Sequence, residues 1–254
     1  MTKFDTLFPA SPAQMQSNVQ PTRWNAETFQ ELLERFHQPL YRYFAVHTGG
    51  ELDHAFRLAL ETLVIVFRKP ELPDGTVLPS WIFEIAWEAL NLHYSRLEPT
   101  AVSTQSHSLS GNDAQFSRMR EAFRKLAFYR REALYLRIFA GLELKDIAIL
   151  MDQSETTIQA LTYQGVNELS ALVENRKPVL PPRRQLRSLA QDYHDYLTAV
   201  LQGLPVDRYS SSQMVEVTRQ LMDLRIAISM KPEAAASMKS QLEQIFRVGA
   251  ATRL

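Results

Sequence analysis

The sequence predicts an all-α protein: two small helical domains joined by a Ser-rich linker, followed by a C-terminal helical extension. Three observations carry this. Apolar residues recur at three- and four-residue spacing in segment after segment, with no alternating run that marks a strand. Only 8 of the 254 residues are Gly while 45% are hydrophobic, the composition of a folded, helix-rich chain. The breaks between periodic segments are rich in Pro, Gly and Ser, residues that stop helices.

Taken in order, residues 1–24 are polar and Pro-containing and read as a flexible arm. Asn25 or Thr28 caps a first helix whose apolar positions are Phe29, Leu32, Leu33, Phe36, Leu40 and Tyr43. "HTGGELD" ends it. A second helix follows over about 53–68, with Phe56, Leu60, Leu63, Val64 and Phe67 on one side. "KPELPDGTVLP" is a loop, and Ser80 caps a third helix, "WIFEIAWEALNLHYSRL", apolar enough to be largely buried. These residues, 25–97, form the first domain. Residues 98–114, "EPTAVSTQSHSLSGNDA", lack hydrophobic periodicity and form the linker.

The second domain, 115–173, carries helices at about 115–127, 130–140, 143–151 and 155–172. Within it "GLELKDIAILMDQSETTIQAL" reads as helix, tight turn, helix: a helix-turn-helix, whose second helix ordinarily enters the DNA major groove. Ser154 is placed to cap that second helix, accepting from the amides of Thr156 or Thr157. Ile158, Leu161 and Val166 face the core in this reading, and Glu155, Thr156, Gln159, Thr162 and Tyr163 point outward. A basic, Pro-rich linker, 174–187, leads to the extension, 188–254. There Leu189, Tyr193, Tyr196, Leu197 and Val200 mark one helix. Met214, Val217, Leu221, Leu224 and Ile228 make a narrow seam on the next, and Ala235, Met238, Leu242 and Ile245 define the last.

Composition excludes several classes. With no cysteine there is no disulfide framework, thiolate metal site or Cys nucleophile. The six His residues show no i, i+4 pairing and no carboxylate-rich surroundings, so neither a metal nor another cofactor is expected. No phosphate loop or nucleophile elbow occurs, and the chain is not expected to be an enzyme. The first residues lack the apolar core of a signal peptide, and no run approaches eighteen apolar residues. A cytoplasmic protein without membrane insertion is the expectation.

Basic and acidic residues balance at 28 each, but their placement is uneven. Between Gln115 and Ala140 stand Arg118, Arg120, Arg124, Lys125, Arg130, Arg131 and Arg137 against Glu121 and Glu132. Arg176–Arg187 holds five basic residues and no acid, whereas Ser154–Glu168 has no Lys or Arg at all. In that pattern the flanking cations supply phosphate contacts, and the uncharged helix reads bases. Gln can pair with adenine and Thr can touch a thymine methyl.

Two helical domains with these motifs resemble a bacterial extracytoplasmic-function (ECF) sigma factor. The resemblance covers about residues 25–173. It rests on "FQELLERFHQPLYRYF", "LETLVIVFRK", "WIFEIAWEALNLHYSR" and "REALYLRIFAGLELKDIAILMDQSETTIQALTYQGVNEL". It implies that the first domain binds core RNA polymerase and opens the promoter strands, and that the second reads the upstream promoter element.

Carried over position by position, the DNA-binding candidates are Arg130, Arg131, Lys145, Ser154, Glu155, Thr156, Thr157, Gln159, Thr162, Tyr163 and Gln164. The strand-opening candidates are Trp81, Trp87 and Arg96, and the polymerase-binding candidates are Asp53, Arg57 and Glu61. Phe83, between the tryptophans, reads as core. The departures are as specific. His54, Ala55, Phe56, Arg57 and Leu60 stand where the family carries acids and a Gln, and Asp152 replaces its turn glycine. A second reading is therefore kept: a diverged sigma-like adaptor, a protein-interaction module with little specific DNA binding. The extension is expected to be a stabilising cap or a restraint on the sigma-like domains, with an anti-sigma protein as a further partner.

Overall fold

A computed structural model describes residues 26–69, 77–96, 113–206 and 213–251. Every element within them is helical. In order these are α1 (Ala26–His47), α2 (Leu52–Arg68), α3 (Leu78–Arg96), α4 (Asp113–Lys125) and α5 (Phe128–Leu134). α5 runs on into a π turn at Tyr135–Phe139. Then come α6 (Leu144–Met151), α7 (Glu155–Val173), α8 (Arg183–Leu201), α9 (Gln213–Ala227) and α10 (Pro232–Ala251). The N-terminal arm, most of the 98–114 stretch and most of the "KPELPDGTVLP" loop lie outside the described residues. So does Asn25, while Thr28 falls inside α1.

The helices of the first half pack in sequence, α1 on α2 and α2 on α3. All six apolar positions read on α1 are buried. On α2 the buried stripe is rotated from the expected one. Ala55, Leu58, Ala59, Thr62, Leu63, Val66 and Phe67 face inward, and Phe56, Leu60 and Val64 are half-buried at its margin. Side-chain bulk pointed to the margin; the small Ala55 and Ala59 occupy the closest approach, where a large residue has no room. Ser80 is not a cap, because α3 begins at Leu78. Its hydroxyl is buried and donates to the Asp146 carbonyl at 3.2 Å.

α5, α6, α7 and the π turn form the second half. α3 rests on α6 and α1 on the π turn, so buried residues from Phe29 to Leu242 join in one continuous apolar cluster. The extension adds to it: α8 lies along α7, α9 touches α7 and the π turn, and α10 packs on α2. Val217, Leu221, Leu224 and Ile228 of the expected seam are buried, as are Met238 and Leu242 on α10; Ile245 is exposed.

α5 and α7 meet at Gly165, where an added Cβ would lie 3.0 Å from Leu134 Cδ1 and 3.2 Å from the Arg130 carbonyl oxygen. Gly165→Ala is expected to destabilise the fold. Overpacking costs about 1–3 kcal/mol, and the gain in helix propensity returns at most about 1 kcal/mol. A lower urea midpoint at unchanged slope is the expected measurement; a higher midpoint would show that α5 can step aside.

Candidate nucleic-acid and partner-binding surfaces

The stretch read as a helix-turn-helix is α6, a tight turn and α7, and local chemistry builds the turn. Asp152 ends α6 in the left-handed conformation (φ 53°, ψ 49°), a geometry that favours glycine and is tolerated by Asp. The Gln153 amide closes back on the Ala148 carbonyl at 2.9 Å. Ser154 caps α7, its Oγ accepting from the Thr157 amide at 3.2 Å. That is one of the two amides the sequence offered.

On α7, Ile158 and Val166 are buried and Leu161 packs half-buried against the core. Ser154, Glu155 and Thr156 are exposed; Thr157, Gln159 and Gln164 are half-buried. Thr162 and Tyr163 depart from expectation: both are buried, not outward. Thr162 returns its hydroxyl to the Ile158 carbonyl at 2.8 Å, which satisfies it locally and lets it enter the interior. Tyr163 is covered by the extension. Its ring lies 6.3 Å from that of Tyr193 on α8, centroid to centroid, and burial raises the pKa of both phenols.

Other contacts fix α8 on this face. Gln159 Nε2 donates to Gln191 Oε1 at 3.2 Å. Buried Arg137, on the π turn, donates to the Leu142 carbonyl at 2.8 Å and to Thr198 Oγ1 on α8 at 2.7 Å. Tyr193 and Thr218 share a buried hydroxyl–hydroxyl hydrogen bond of 2.9 Å, tying α8 to α9. Sequence periodicity showed that α8 has an apolar face, but nothing in it named α7 as the surface beneath.

Among the flanking cations, Arg130 is committed to Glu168 on α7 by a charged hydrogen bond. Lys145 is exposed and pairs with Glu143 at 2.8 Å. Arg131 is half-buried. Lys177, Arg183, Arg184 and Arg187 are exposed, and none has an ion-pair partner among the described residues.

His194, on α8, has its pKa lowered first by burial and then by Arg137, against the smaller opposing pull of Asp195 and Glu155. A folded-state pKa below the unfolded value means that the unfolded chain binds the proton more readily. The contribution to stability is therefore full above the ordinary histidine range and is lost as pH falls through the folded value. Acidification from pH 7.5 to 5.5 is expected to lower the urea midpoint more in the native chain than in His194→Gln. Equal acid sensitivity would remove His194 as a source.

The polymerase-binding candidates Asp53, Arg57 and Glu61 are all exposed, spaced four apart on one face of α2. Beside them His54 pairs with Glu51 and stacks at 5.3 Å on His93 of α3. The strand-opening candidates are divided. Trp81 is buried, with the Lys69 ammonium 5.7 Å from its ring centre, so it is not displayed to stack on a base. Its place in the first turns of α3, against the core, explains this. Trp87 is half-buried, in edge contact with Phe128 of α5 at 5.7 Å and His47 at 6.3 Å. Phe83 is core, as read. Arg96 is the last residue of α3.

A buried polar cluster escaped the sequence reading. Tyr43 on α1 donates its hydroxyl to Glu132 Oε1 on α5 at 2.8 Å. His47 Nε2 lies 3.3 Å from Glu132 Oε2, near enough for attraction but off the hydrogen-bond line. Burial and the Glu132 carboxylate together push the Tyr43 pKa up. Glu132 sits among arginines in sequence, and its amphipathic position gave no sign of a partner on α1.

Among the described residues no group of three or more His, Asp or Glu is arranged to hold a metal ion. No helix among them is long and apolar enough to cross a membrane.

The fold and this site define an all-α protein in which α6 and α7 meet at a tight turn capped by Ser154. Comparison with known proteins gives the next step. The chain is 24% identical over 162 residues to the ECF RNA polymerase sigma factor BldN of Streptomyces coelicolor, covering 58% of this chain and 61% of that one. It is 28% identical over 144 residues to the ECF RNA polymerase sigma factor EcfG of Rhodopseudomonas palustris, covering 53% of this chain and 80% of that one. Over these residues the chain is similar to ECF RNA polymerase sigma factors. The match thus spans less than two thirds of the first relative's length. No family model matches, and no solved structure matches.

Proposed function

We propose that the protein is a sigma-like transcription initiation factor. Residues 25–97 bind core RNA polymerase through the exposed face of α2 that carries Asp53, Arg57 and Glu61. Residues 115–173 face promoter DNA through the helix-turn-helix. The observation that supports this best is the capped turn at Asp152–Ser154, in a chain more than half of which is similar to two named sigma factors. No cofactor is required, since recognition of this kind is positioning and hydrogen bonding alone. In the test, pure protein is mixed with core polymerase on genomic DNA, and transcript 5′ ends are sequenced. Starts that cluster at shared upstream sequences support the proposal; starts no different from core enzyme alone overturn it.

The adaptor reading has an observation of its own. α7 carries no Lys or Arg from Ser154 to Glu168, and two of its reading candidates are buried. Tight polymerase binding without specific starts selects that reading.

A further inference from the structure

We infer that the reading face of the helix-turn-helix is an interface within this chain, and that its occupant is α8, residues 183–201. The inference rests on the promoter-reading proposal and adds its regulation: DNA reading requires α8 to leave.

The two side chains best suited to touch bases from the middle of α7 are the two that α8 engages. Gln159 spends its amide on Gln191, and Tyr163 is buried against Tyr193. Leu197 and His194 line the crevice that holds Gln159 and Thr162. A major groove admits one helix, with little space beside it. A second helix lying along the reading face therefore excludes the duplex by volume as well as by using up hydrogen bonds.

The cover is held from behind. Tyr193 is hydrogen-bonded to Thr218 of α9. At the far end of α9, Arg42 on α1 donates to Ser229 Oγ at 2.9 Å. Gln38 makes a reciprocal pair with Met230, its Nε2 donating to the carbonyl at 2.9 Å and its Oε1 accepting from the amide at 3.1 Å. The extension thus grips α7 with one end and α1 with the other, like a clasp across both halves. α8 hangs on a connection of nine residues, 174–182, which gives it a hinge. The polar groups it covers, Gln159 bonded to Gln191 and Arg137 bonded to Thr198, are left to hydrogen-bond water when it opens.

The clasp lowers apparent affinity by the fraction of molecules in which α8 has lifted. The absence of native cysteine permits a direct test. Gln159→Cys with Gln191→Cys, bridged by a short cleavable thiol crosslinker, locks α8 down; Leu197→Glu places a charge under it and releases it. Binding of a 30-base-pair random-sequence duplex pool is measured at low salt by anisotropy, with circular dichroism as the fold control. Binding to core polymerase is measured in parallel.

The released chain is expected to bind the pool and its selected sequences at least tenfold tighter than the native chain. The locked chain is expected to lose sequence selection relative to the same double-cysteine chain before crosslinking, and cleaving the crosslink to restore that chain's own level. If the locked and cleaved chains select the same sequences with the same affinity, α8 is no cover, whatever Leu197→Glu does to the fold. If polymerase binds but neither the released nor the cleaved chain selects any sequence, promoter reading itself fails and the clasp with it. Selection by the released chain alone, with no polymerase binding, keeps the clasp and removes the sigma-like role.

Discussion

Replacing Glu132 by alanine is expected to lower the unfolding free energy by about 3–5 kcal/mol, the combined cost of stranding a buried hydroxyl and opening a cavity. The carboxylate is the meeting point of two groups from α1, the Tyr43 hydroxyl and the His47 ring. Its removal strands both in a region where water does not reach and leaves a cavity beneath them. Glu132→Gln keeps an acceptor for Tyr43 and should cost less, about 1–3 kcal/mol. Tyr43→Phe should fall in the same range. A double-mutant cycle between Tyr43→Phe and Glu132→Gln measures the coupling in urea denaturation. Additive losses, with no coupling energy, would mean that the hydrogen bond contributes nothing to the packing of α1 on α5.

The second large effect concerns nucleic acid. Lys177, Arg183, Arg184 and Arg187 form a run of exposed cations on the connection and α8, none with an ion-pair partner among the described residues. Converting all four to Gln is expected to weaken binding to any duplex by roughly a hundredfold at 0.1 M salt, and to flatten the salt dependence by about three to four units. The loss should be alike for all sequences, because phosphate contacts carry no base information. Arg130→Gln should behave differently. Its charge is already spent on Glu168, so the substitution is expected to lower stability and leave the salt slope nearly unchanged. A full-strength slope in the fourfold variant would place DNA elsewhere on the molecule.

Helix positions were legible because each helix announces itself through its own spacing. Phe29, Leu32, Leu33, Phe36, Leu40 and Tyr43 are all buried, and Ser154 caps the helix it was read to cap. Which helix covers which was not legible, since an apolar stripe says that a face is buried and is silent about its partner. Tyr163 shows the difficulty. Tyrosine suits both a wet surface and an interior, and only α8, twenty or more residues downstream, decides between them. Thr162 was misread for a related reason: its hydroxyl suggested exposure, but a helical Thr can satisfy itself on the preceding turn. Trp81 was ambiguous in the same way, and the core claimed it.

The π turn at Tyr135–Phe139 has a consequence for insertions and deletions. Such a turn holds one residue more than α-helical geometry needs, and that surplus acts as a rotational spacer. Removing a single residue there would let the segment relax to an ordinary helix with the side chains beyond it near their present bearing. Winding all of its residues as an ordinary helix would instead swing them by about 100°. In that second case Arg137 would lose its aim at Leu142 and Thr198, and α6 would meet α3 from another side. A loop absorbs a one-residue change in length through slack; this segment absorbs it by widening one turn. The reading frame of the packing, in that sense, is kept by one extra residue between Glu132 and Gly141.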